Sequence, residues 1–254
     1  MRIFETENYN FEYIESDVTE PVLWENHCHG RFEMIGVING DINIMIEGKK
    51  YRLTENHIAI IPPLSYHTVT ANKQGRYARI TTLFDDVAIP VPIRQNFAKG
   101  KRDIFIVSSA QIVKIMEICR GKNREIYAPL AESLMIQLFY ENVQTEQAGT
   151  ETEVDQFLQK SVDYIEKHLT EKITLEDLAK HTLRSKSSFS HLFEEKMKIT
   201  PKQYILRKKL ALANKLICEG LPPTVVAARV GYENYSNFYR MYSKHFGSRP
   251  ARRK

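Results

Sequence analysis

Three histidines and one glutamate in the first third of the chain have the types and spacing of a metal-binding set. His27 and His29 are two residues apart, so on a β-strand both side chains point to the same face. Glu33 and the more distant His67 could complete three imidazoles and one carboxylate, which suit iron, manganese, nickel or zinc. The same side chains could instead line a pocket for an organic molecule, or belong to a purely structural or protein-regulated barrel. The only tryptophan, Trp24, could stack on such a ligand or pack in the core.

A second set of polar side chains lies near the N-termini of two predicted helices in the last third of the chain. A short helix, a tight turn and a capped helix occur in this order twice, over Leu175–Lys196 and over Pro223–Phe246. Each later helix has a narrow apolar stripe and a polar face, which is typical of a helix that enters the major groove of DNA. Arg240 suits guanine and Asn237 suits adenine. The predicted base contacts are Lys186, Ser187, Ser190, His191, Tyr235, Ser236, Asn237, Tyr239 and Arg240.

The charge of the chain is divided between its two ends. Residues 172–254 contain 18 Lys and Arg against 6 Asp and Glu, a net charge of +12, whereas residues 1–171 carry −7. A basic end of this size points to a polyanionic partner, and with two candidate recognition helices it indicates duplex DNA. We predict that Lys208, Lys209 and Lys244 hold DNA phosphates.

The residues that must position the histidine set are predicted to form strands. Residues 1–107 contain short runs of β-forming residues joined by turns. Ile42, Ile44 and Ile46, for example, alternate with other side chains just before a turn signal at Glu47-Gly48. Short strands at this spacing predict a sandwich or barrel.

From Ser108 the apolar residues recur every three or four positions, which predicts helices over 108–143. The second of them, expected to start at Pro129, is apolar over much of its circumference and needs more cover than one neighbour gives. We predict that it forms a homodimer interface, with packing onto the barrel as the alternative. Its apolar residues are Leu130, Leu134, Ile136, Leu138 and Phe139.

The remaining chain is predicted to be a polar linker over 144–153 and an all-helical domain over 154–254. Thr174, Ser185 and Asn234 are expected to cap helices of this domain. A helix from Pro201 to Glu219, about 28 Å long, could hold the two recognition helices roughly one DNA turn apart. The predicted fold class is therefore α+β with two domains, the second carrying helix-turn-helix units at 175–196 and 223–246.

Composition excludes several other classes of protein. A chain with 43% hydrophobic and 26% charged residues is not disordered as a whole. Cys28, Cys119 and Cys218 are odd in number and far apart, which argues against a disulfide framework and favours a reducing compartment. No apolar run approaches the ~20 residues of a membrane helix, and the N-terminus has no signal-peptide pattern. We therefore expect a cytoplasmic protein that does not contact a membrane.

Each of the two helix-turn-helix copies contains its own motif of spaced, mostly apolar residues. The first copy contains Ser185-x3-Phe189-x2-Leu192-Phe193 and then Ile199-Thr200-Pro201-x2-Tyr204. The second contains Ala227-x2-Val230-Gly231-Tyr232-x5-Phe238-x3-Tyr242-x3-Phe246-Gly247-x2-Pro250. These motifs resemble the two signatures of the AraC/XylS transcriptional regulators, over about a hundred residues.

The N-terminal half resembles a sensing barrel. His27-Cys28-His29-x3-Glu33-x6-Gly40, followed by Pro62-x4-His67, is similar to the paired motifs of cupin barrels. Because AraC-type regulators commonly carry a cupin-like barrel at this end, the resemblance implies a pocket for a small organic effector, with no metal and no cofactor. It also implies activation of transcription through RNA polymerase.

These observations predict a bacterial-type, sequence-specific DNA-binding regulator without catalytic activity. Its expected partners are double-stranded DNA, a small-molecule effector at the barrel, a second copy of the chain and RNA polymerase. One alternative is a metal-dependent cupin enzyme, a dioxygenase or isomerase, or a metal sensor, that uses His27, His29, Glu33 and His67. Another is a DNA-binding protein whose barrel only docks or dimerises.

Overall fold

Among the described residues, strands make up most of the first part of the chain and helices most of the rest, in the order that the hydropathy pattern predicts. The computed structural model describes residues 2–18, 27–71, 74–91, 94, 105–108, 110–121, 124–142 and 151–251. Antiparallel sheets are followed by a helical domain with two helix-turn-helix units, so the predicted α+β class is confirmed. No helix among the described residues is long and apolar enough to cross a membrane.

The strands form two antiparallel sheets that pack face to face. Within the described residues one sheet has the order β1-β2-β8-β3-β6-β9 and the other β10-β5-β4-β7. The predicted alternation is confirmed, because Ile42, Ile44 and Ile46 are buried in the core between the sheets. The strands are β1 (Arg2–Glu5), β2 (Tyr9–Val18), β3 (Phe32–Asn39), β4 (Asp41–Ile46), β5 (Lys49–Thr54), β6 (His57–Ile61), β7 (His67–Ala71), β8 (Gly75–Phe84), β9 (Phe105–Ser108) and β10 (Glu151–Val154).

The turn between β4 and β5 brings a charged side chain to the helical domain. Glu47 and Gly48 have φ angles of +48° and +82°, as a two-residue type I′ hairpin requires. A Cβ atom added to Gly48 would lie 2.7 Å from Cβ of Leu158, so this turn approaches the helical domain too closely for a larger residue. Glu47 therefore lies at the contact between the two domains.

Eight α-helices follow in the described residues, and the first two cover the larger sheet. The second begins at Arg124 and contains Pro129, so the predicted start at Pro129 is wrong. Leu134, Leu138 and Phe139 are buried against the sheet, whereas Leu130 and Ile136 are exposed. The helices are α1 (Gln111–Arg120), α2 (Arg124–Asn142), α3 (Gln156–Lys167), α4 (Leu175–His181), α5 (Lys186–Met197), α6 (Pro201–Cys218), α7 (Pro223–Arg229) and α8 (Tyr235–Phe246).

The predicted linker is not wholly irregular. Its last residues belong to β10, in which Glu151 pairs with Tyr51 and Glu153 with Lys50 of β5. The segment 143–150 lies outside the described residues. The sequence does not predict β10, because it has no alternating apolar pattern. It lies at the edge of the smaller sheet, where backbone pairing with β5 holds it.

Local signals place the helices of the C-terminal domain as predicted. Thr174 forms a capping box with Asp177, and Ser185 and Asn234 accept hydrogen bonds from backbone amides at the starts of α5 and α8. The two helix-turn-helix units have separate apolar cores, and α6 contributes to both. Its first half packs through Tyr204 in one core, and its second half packs through Ile217 in the other.

Candidate ligand site and nucleic-acid interface

The structure brings the four predicted ligand residues together in the N-terminal domain of two packed sheets, which is called the barrel below. Oε2 of Glu33 lies 2.9 Å from Nε2 of His29, 2.7 Å from Nε2 of His67 and 3.6 Å from Nε2 of His27. Candidate ligand atoms of all four residues lie within 4.8 Å of one another. Glu33 and His67 are buried, His29 is partly buried, and the side chain of His27 is 49% exposed. Two buried groups and two accessible ones therefore share one site.

Backbone hydrogen bonds hold the histidine rings in place. Nδ1 of His29 lies 2.9 Å from the carbonyl oxygen of Arg31, and Nδ1 of His67 lies 2.9 Å from that of Ser65. Each carbonyl accepts the Nδ1 proton, which turns the other ring nitrogen toward Glu33. His27 and His67 also exchange two backbone hydrogen bonds, of 3.0 and 3.1 Å. The segments that carry the cluster are thus tied directly to each other.

The electrostatics of the cluster favour an ionised carboxylate. Burial by itself would raise the pKa of Glu33, but the charge of His67, hydrogen bonds from His29 and His67 and the nearby ring of His27 hold it well below its usual range. Glu33 is therefore an anion facing three imidazoles at the wall of the barrel.

A pocket of about 320 Å³ opens beside the cluster. Besides three of the predicted residues, it is lined by polar side chains that sequence reasoning missed. The hydroxyl of Thr81 is buried there and has no hydrogen-bond partner within the described residues. These polar side chains occupy alternate positions of β2 and β8, and this alternation is the sequence signal that could have identified them. The missed polar residues are Asn10, Glu12, Arg79 and Thr81, and the apolar Leu83 completes the lining.

Trp24 lies outside the described residues, so its proposed stacking on a ligand stays a prediction. Cys28, between two of the candidate ligand histidines, is buried. Its thiol packs in the apolar cluster of the first helix-turn-helix unit. Burial raises the pKa of Cys28 to about 12, so this thiol is not poised as a thiolate.

On α5, the predicted base contacts lie at and after the capped N-terminus. Lys186, Ser187 and His191 are exposed, and Ser190 is partly exposed. Nζ of Lys186 lies 3.1 Å from a carboxylate oxygen of Glu176 on α4. The buried residues of the helix are Phe189, Phe193 and Met197. The helix therefore turns one face to the core and offers the polar face to solvent.

The second candidate recognition helix, α8, has the same arrangement. Its buried residues are Phe238 and Tyr242, and Nη2 of Arg240 donates a 3.1 Å hydrogen bond to Oδ1 of Asn237. The two side chains with the clearest base preference are therefore neighbours on the exposed face. The five predicted contacts are all exposed: Tyr235, Ser236, Asn237, Tyr239 and Arg240.

Two of the three predicted phosphate contacts do not fit that role. Nζ of Lys208 is buried and lies 2.6 Å from Oε1 of Glu47 and 2.8 Å from Oε1 of Glu166. Lys209 is also buried, and its amine donates a 2.7 Å hydrogen bond to the carbonyl oxygen of Glu171. Both amines are directed into the protein, so the phosphate assignment is corrected. Lys244 is exposed on α8 and remains available for a phosphate.

Comparison with known proteins agrees with both domains. Residues 8–89 match the family described as AraC-like ligand binding domain, and residues 178–253 match a helix-turn-helix domain family. The probable transcriptional regulator LumQ of Photobacterium leiognathi is 40% identical over 91 residues, which are 35% of this chain and 37% of LumQ. The uncharacterized HTH-type transcriptional regulator YobQ of Bacillus subtilis is 24% identical over 231 residues, 90% of this chain and 88% of YobQ. The crystal structure of ToxT from Vibrio cholerae O395 aligns with 97% of this chain and 96% of its own, at 10% identity and a TM-score of 0.45.

A ligand-binding barrel joined to a double helix-turn-helix domain defines a class of protein, the ligand-responsive DNA-binding regulator. The two family matches occur in that order along the chain, and the relative that matches over most of its length is also named a regulator. The chain therefore combines an AraC-like ligand binding domain with a helix-turn-helix DNA-binding domain, and its relatives are named transcriptional regulators. The function predicted from the sequence is confirmed at this level.

Proposed function

We propose that this regulator activates transcription as a homodimer, binding two successive stretches of the major groove with α5 and α8 in response to an effector at the barrel. The observation that carries the proposal is the position of two exposed polar helix faces on either side of one shared helix, α6. At 18 residues, α6 is about 27 Å long. That length suits a spacing close to one turn of DNA, about 34 Å.

The effector site is assigned to the pocket beside the histidine cluster. Its volume of about 320 Å³ suits a small molecule. The walls offer the guanidinium of Arg79, the hydroxyl of Thr81 and the imidazoles of the cluster, so the effector is expected to be polar. Activation rather than repression is supported by the family resemblance alone.

The homodimer is supported by the outer face of α2. Apolar side chains are exposed over about half of the helix circumference, while the opposite face is buried on the barrel. These exposed apolar side chains share their face with Ser133, Gln137 and Glu141, and a mixed face with large exposed apolar residues supports a protein interface. The exposed residues are Ile126, Tyr127, Leu130, Ile136 and Tyr140.

Selection of random duplex DNA by the full-length protein at physiological salt tests the proposal. Two enriched sequence blocks about one helical turn apart are expected, one for each recognition helix. A single block would overturn the assignment of two recognition helices. Absence of any enrichment would overturn sequence-specific binding, and the selection should be repeated with α8 altered at Asn237→Ala to assign one block to that helix.

A further inference from the structure

Three imidazole nitrogens and one carboxylate oxygen converge beside the barrel pocket. We propose that these atoms bind one divalent first-row transition cation, and that the bound cation holds the barrel against the DNA-binding domain. The first half stands on the geometry of the cluster alone. The second half rests on the proposed function, because it makes the cation a signal that the regulator senses.

The spacing of the four atoms fits a common ion. Two ligand atoms held about 2.1 Å from one ion lie roughly 3–4 Å apart, depending on the coordination geometry. Nε2 of each of the three histidines lies 2.7–3.6 Å from Oε2 of Glu33. All the candidate ligand atoms fall within 4.8 Å of one another. Small shifts of the side chains would therefore complete a coordination shell.

The hydrogen bonds around the cluster have the arrangement found behind metal-bound histidines. A ligating imidazole usually donates its second N–H to a backbone carbonyl or a carboxylate, which fixes the ring and its tautomer. His29 and His67 do this through the carbonyl oxygens of Arg31 and Ser65, each at 2.9 Å. Their Nε2 atoms now donate to Glu33, and a cation that displaces these protons would find both lone pairs directed to the point that Glu33 also faces.

The chemistry of the donors selects the class of cation. Imidazole nitrogens suit zinc, nickel, copper and iron, whereas magnesium and calcium prefer oxygen ligands alone. His27 is half exposed and the pocket opens onto it, so a cation has a path from solvent to the buried His67. The same opening leaves room for a water or a polar molecule to complete the shell.

The residues next to the ligands pack against the DNA-binding domain. Cys28, between His27 and His29, lies in one apolar cluster with Leu158 of α3 and Phe193 of α5. Tyr66, which precedes His67, has its ring 5.1 Å from the ring of Tyr204 on α6. Along each of the two segments, candidate ligands are thus direct neighbours of residues that pack on the helical domain. A movement of His27, His29 or His67 would therefore also move Cys28 or Tyr66.

The direction of the coupling follows from the conformation in which the ligands meet. All four converge while Cys28 and Tyr66 are packed against the helical domain. A ligand that binds one conformation more tightly increases its population and its stability. The cation therefore stabilises the arrangement in which the barrel is docked.

Metal content of the full-length protein tests the first half. After equilibration with Zn²⁺ or Ni²⁺ and removal of excess metal, close to one ion per chain is expected by mass spectrometry, and no retained Mg²⁺. Glu33→Gln and His27→Gln should each weaken binding at least tenfold. His27→Gln changes a half-exposed side chain, so its fold is expected to survive, as circular dichroism would verify. His57→Gln, another barrel histidine outside the cluster, is the matched control and should bind normally.

Retention of no metal by the wild type, or equal binding by His27→Gln, would overturn the cation site. Because this measurement does not involve DNA, its failure is distinct from failure of the DNA selection described above.

Hydrogen exchange of the full-length protein tests the second half. Saturating Zn²⁺ should slow amide exchange several-fold in α3 and in the first half of α6, which pack on the barrel. Amides of α8, whose core contains no barrel residue among those described, are the internal control and should not change. The slowing should disappear in His27→Gln. Zn²⁺ binding with unchanged exchange in α3 and α6 would overturn the coupling and leave a cation site only.

Discussion

Arg240 and Lys244 lie one turn apart on the exposed face of α8, yet their chemistry suits different parts of DNA. A guanidinium offers a planar pair of donors that matches O6 and N7 of guanine, whereas an ammonium acts as a point charge on a phosphate. The hydrogen bond from Arg240 to Asn237 orients the guanidinium before DNA arrives. We therefore propose that Arg240 contributes base specificity and Lys244 general affinity for DNA.

Arg240→Ala is expected to relax the sequence preference at one base pair and to cost roughly 1–3 kcal/mol on the preferred sequence, with little loss on other sequences. Lys244→Ala, the matched control, should weaken binding to all sequences and reduce the salt slope by about one. Binding titrations on preferred and substituted duplexes at several salt concentrations measure both effects. Unchanged base preference in Arg240→Ala would contradict the orientation assigned to α8.

The two groups of basic residues show what a sequence can predict at this scale. The exposure of Arg240 follows from helix periodicity, which depends on residues three and four positions away. Lys208 occupies a position that also looks polar and basic, but its partner Glu47 is 161 residues distant. No local pattern contains that pairing, so the burial of Lys208 could only come from the structure.

At the scale of single helices, the start of α3 is held by one carboxylate. Asp155 accepts hydrogen bonds of 3.0 Å from the amides of both Phe157 and Leu158, and it lies 2.5 Å from Nζ of Lys196 on α5. Burial raises its pKa, but the bonds from Lys196 and the two amides outweigh burial and leave the pKa below its usual value. This one side chain thus caps α3 and joins it to α5, the first candidate recognition helix.

Asp155→Ala should lower the free energy of unfolding by about 1–2 kcal/mol near neutral pH, because the cap is lost. Asp155→Asn retains a capping oxygen and isolates the charge. The pKa of Asp155 is lower in the folded protein than in the unfolded chain, where it is about 4. The charge therefore contributes its whole stabilisation above about pH 4, and this stabilisation is lost as the pH falls through the folded-state pKa. Urea unfolding at several pH values measures this. The difference between wild type and Asp155→Asn should shrink in acid, and Asp163→Asn, on the same helix, should show a smaller difference throughout.

Elements with local signals were predictable and those without were not. The caps at Thr174, Ser185 and Asn234 are hydrogen bonds within three residues, and each was identified from residue type and spacing. The start of α2 was misplaced because Pro129 is favourable in a first turn, whereas here the helix continues through it. Strand β10 was missed because its pairing with β5 joins residues about a hundred positions apart.

At the scale of the whole molecule, α2 has one face on the barrel and one facing outward. Leu130→Asp places a charge in the outward apolar face and should weaken a homodimer at least tenfold, about 1.4 kcal/mol. Leu130 is 48% exposed in the single chain, so the substitution should leave the fold intact. Sedimentation velocity over a concentration series measures the dissociation constant. Leu183→Asp, an exposed leucine in the helical domain, is the control; an equal effect of both changes would argue against α2 as the interface.

A cluster of charged side chains, Lys208 with Glu47 and Glu166, lies where the two domains meet. Burial would lower the pKa of Lys208, but Glu47 of the barrel turn and Glu166 of α3 outweigh it and raise the pKa above its usual value. Glu47 also accepts hydrogen bonds from the hydroxyl of Tyr204 and the amide of Tyr66. The ion pair of Lys208 with Glu47 exists only while the domains are in contact, whereas its pair with Glu166 lies within the helical domain.

Lys208→Met is therefore expected to lower the free energy of unfolding of the full chain by about 3–5 kcal/mol, because Glu47 loses its countercharge while still buried at the contact. The double variant with Glu47→Gln should recover part of this loss, since no buried charge then lacks a partner. Lys209→Met is the matched control, because within the described residues the amine of Lys209 donates to a carbonyl of its own domain. Its loss of unfolding free energy is expected to be about 1–2 kcal/mol. Urea unfolding compares the four proteins. Equal losses in the two lysine variants, or no recovery in the double variant, would show that the ion pair does not hold the domains together.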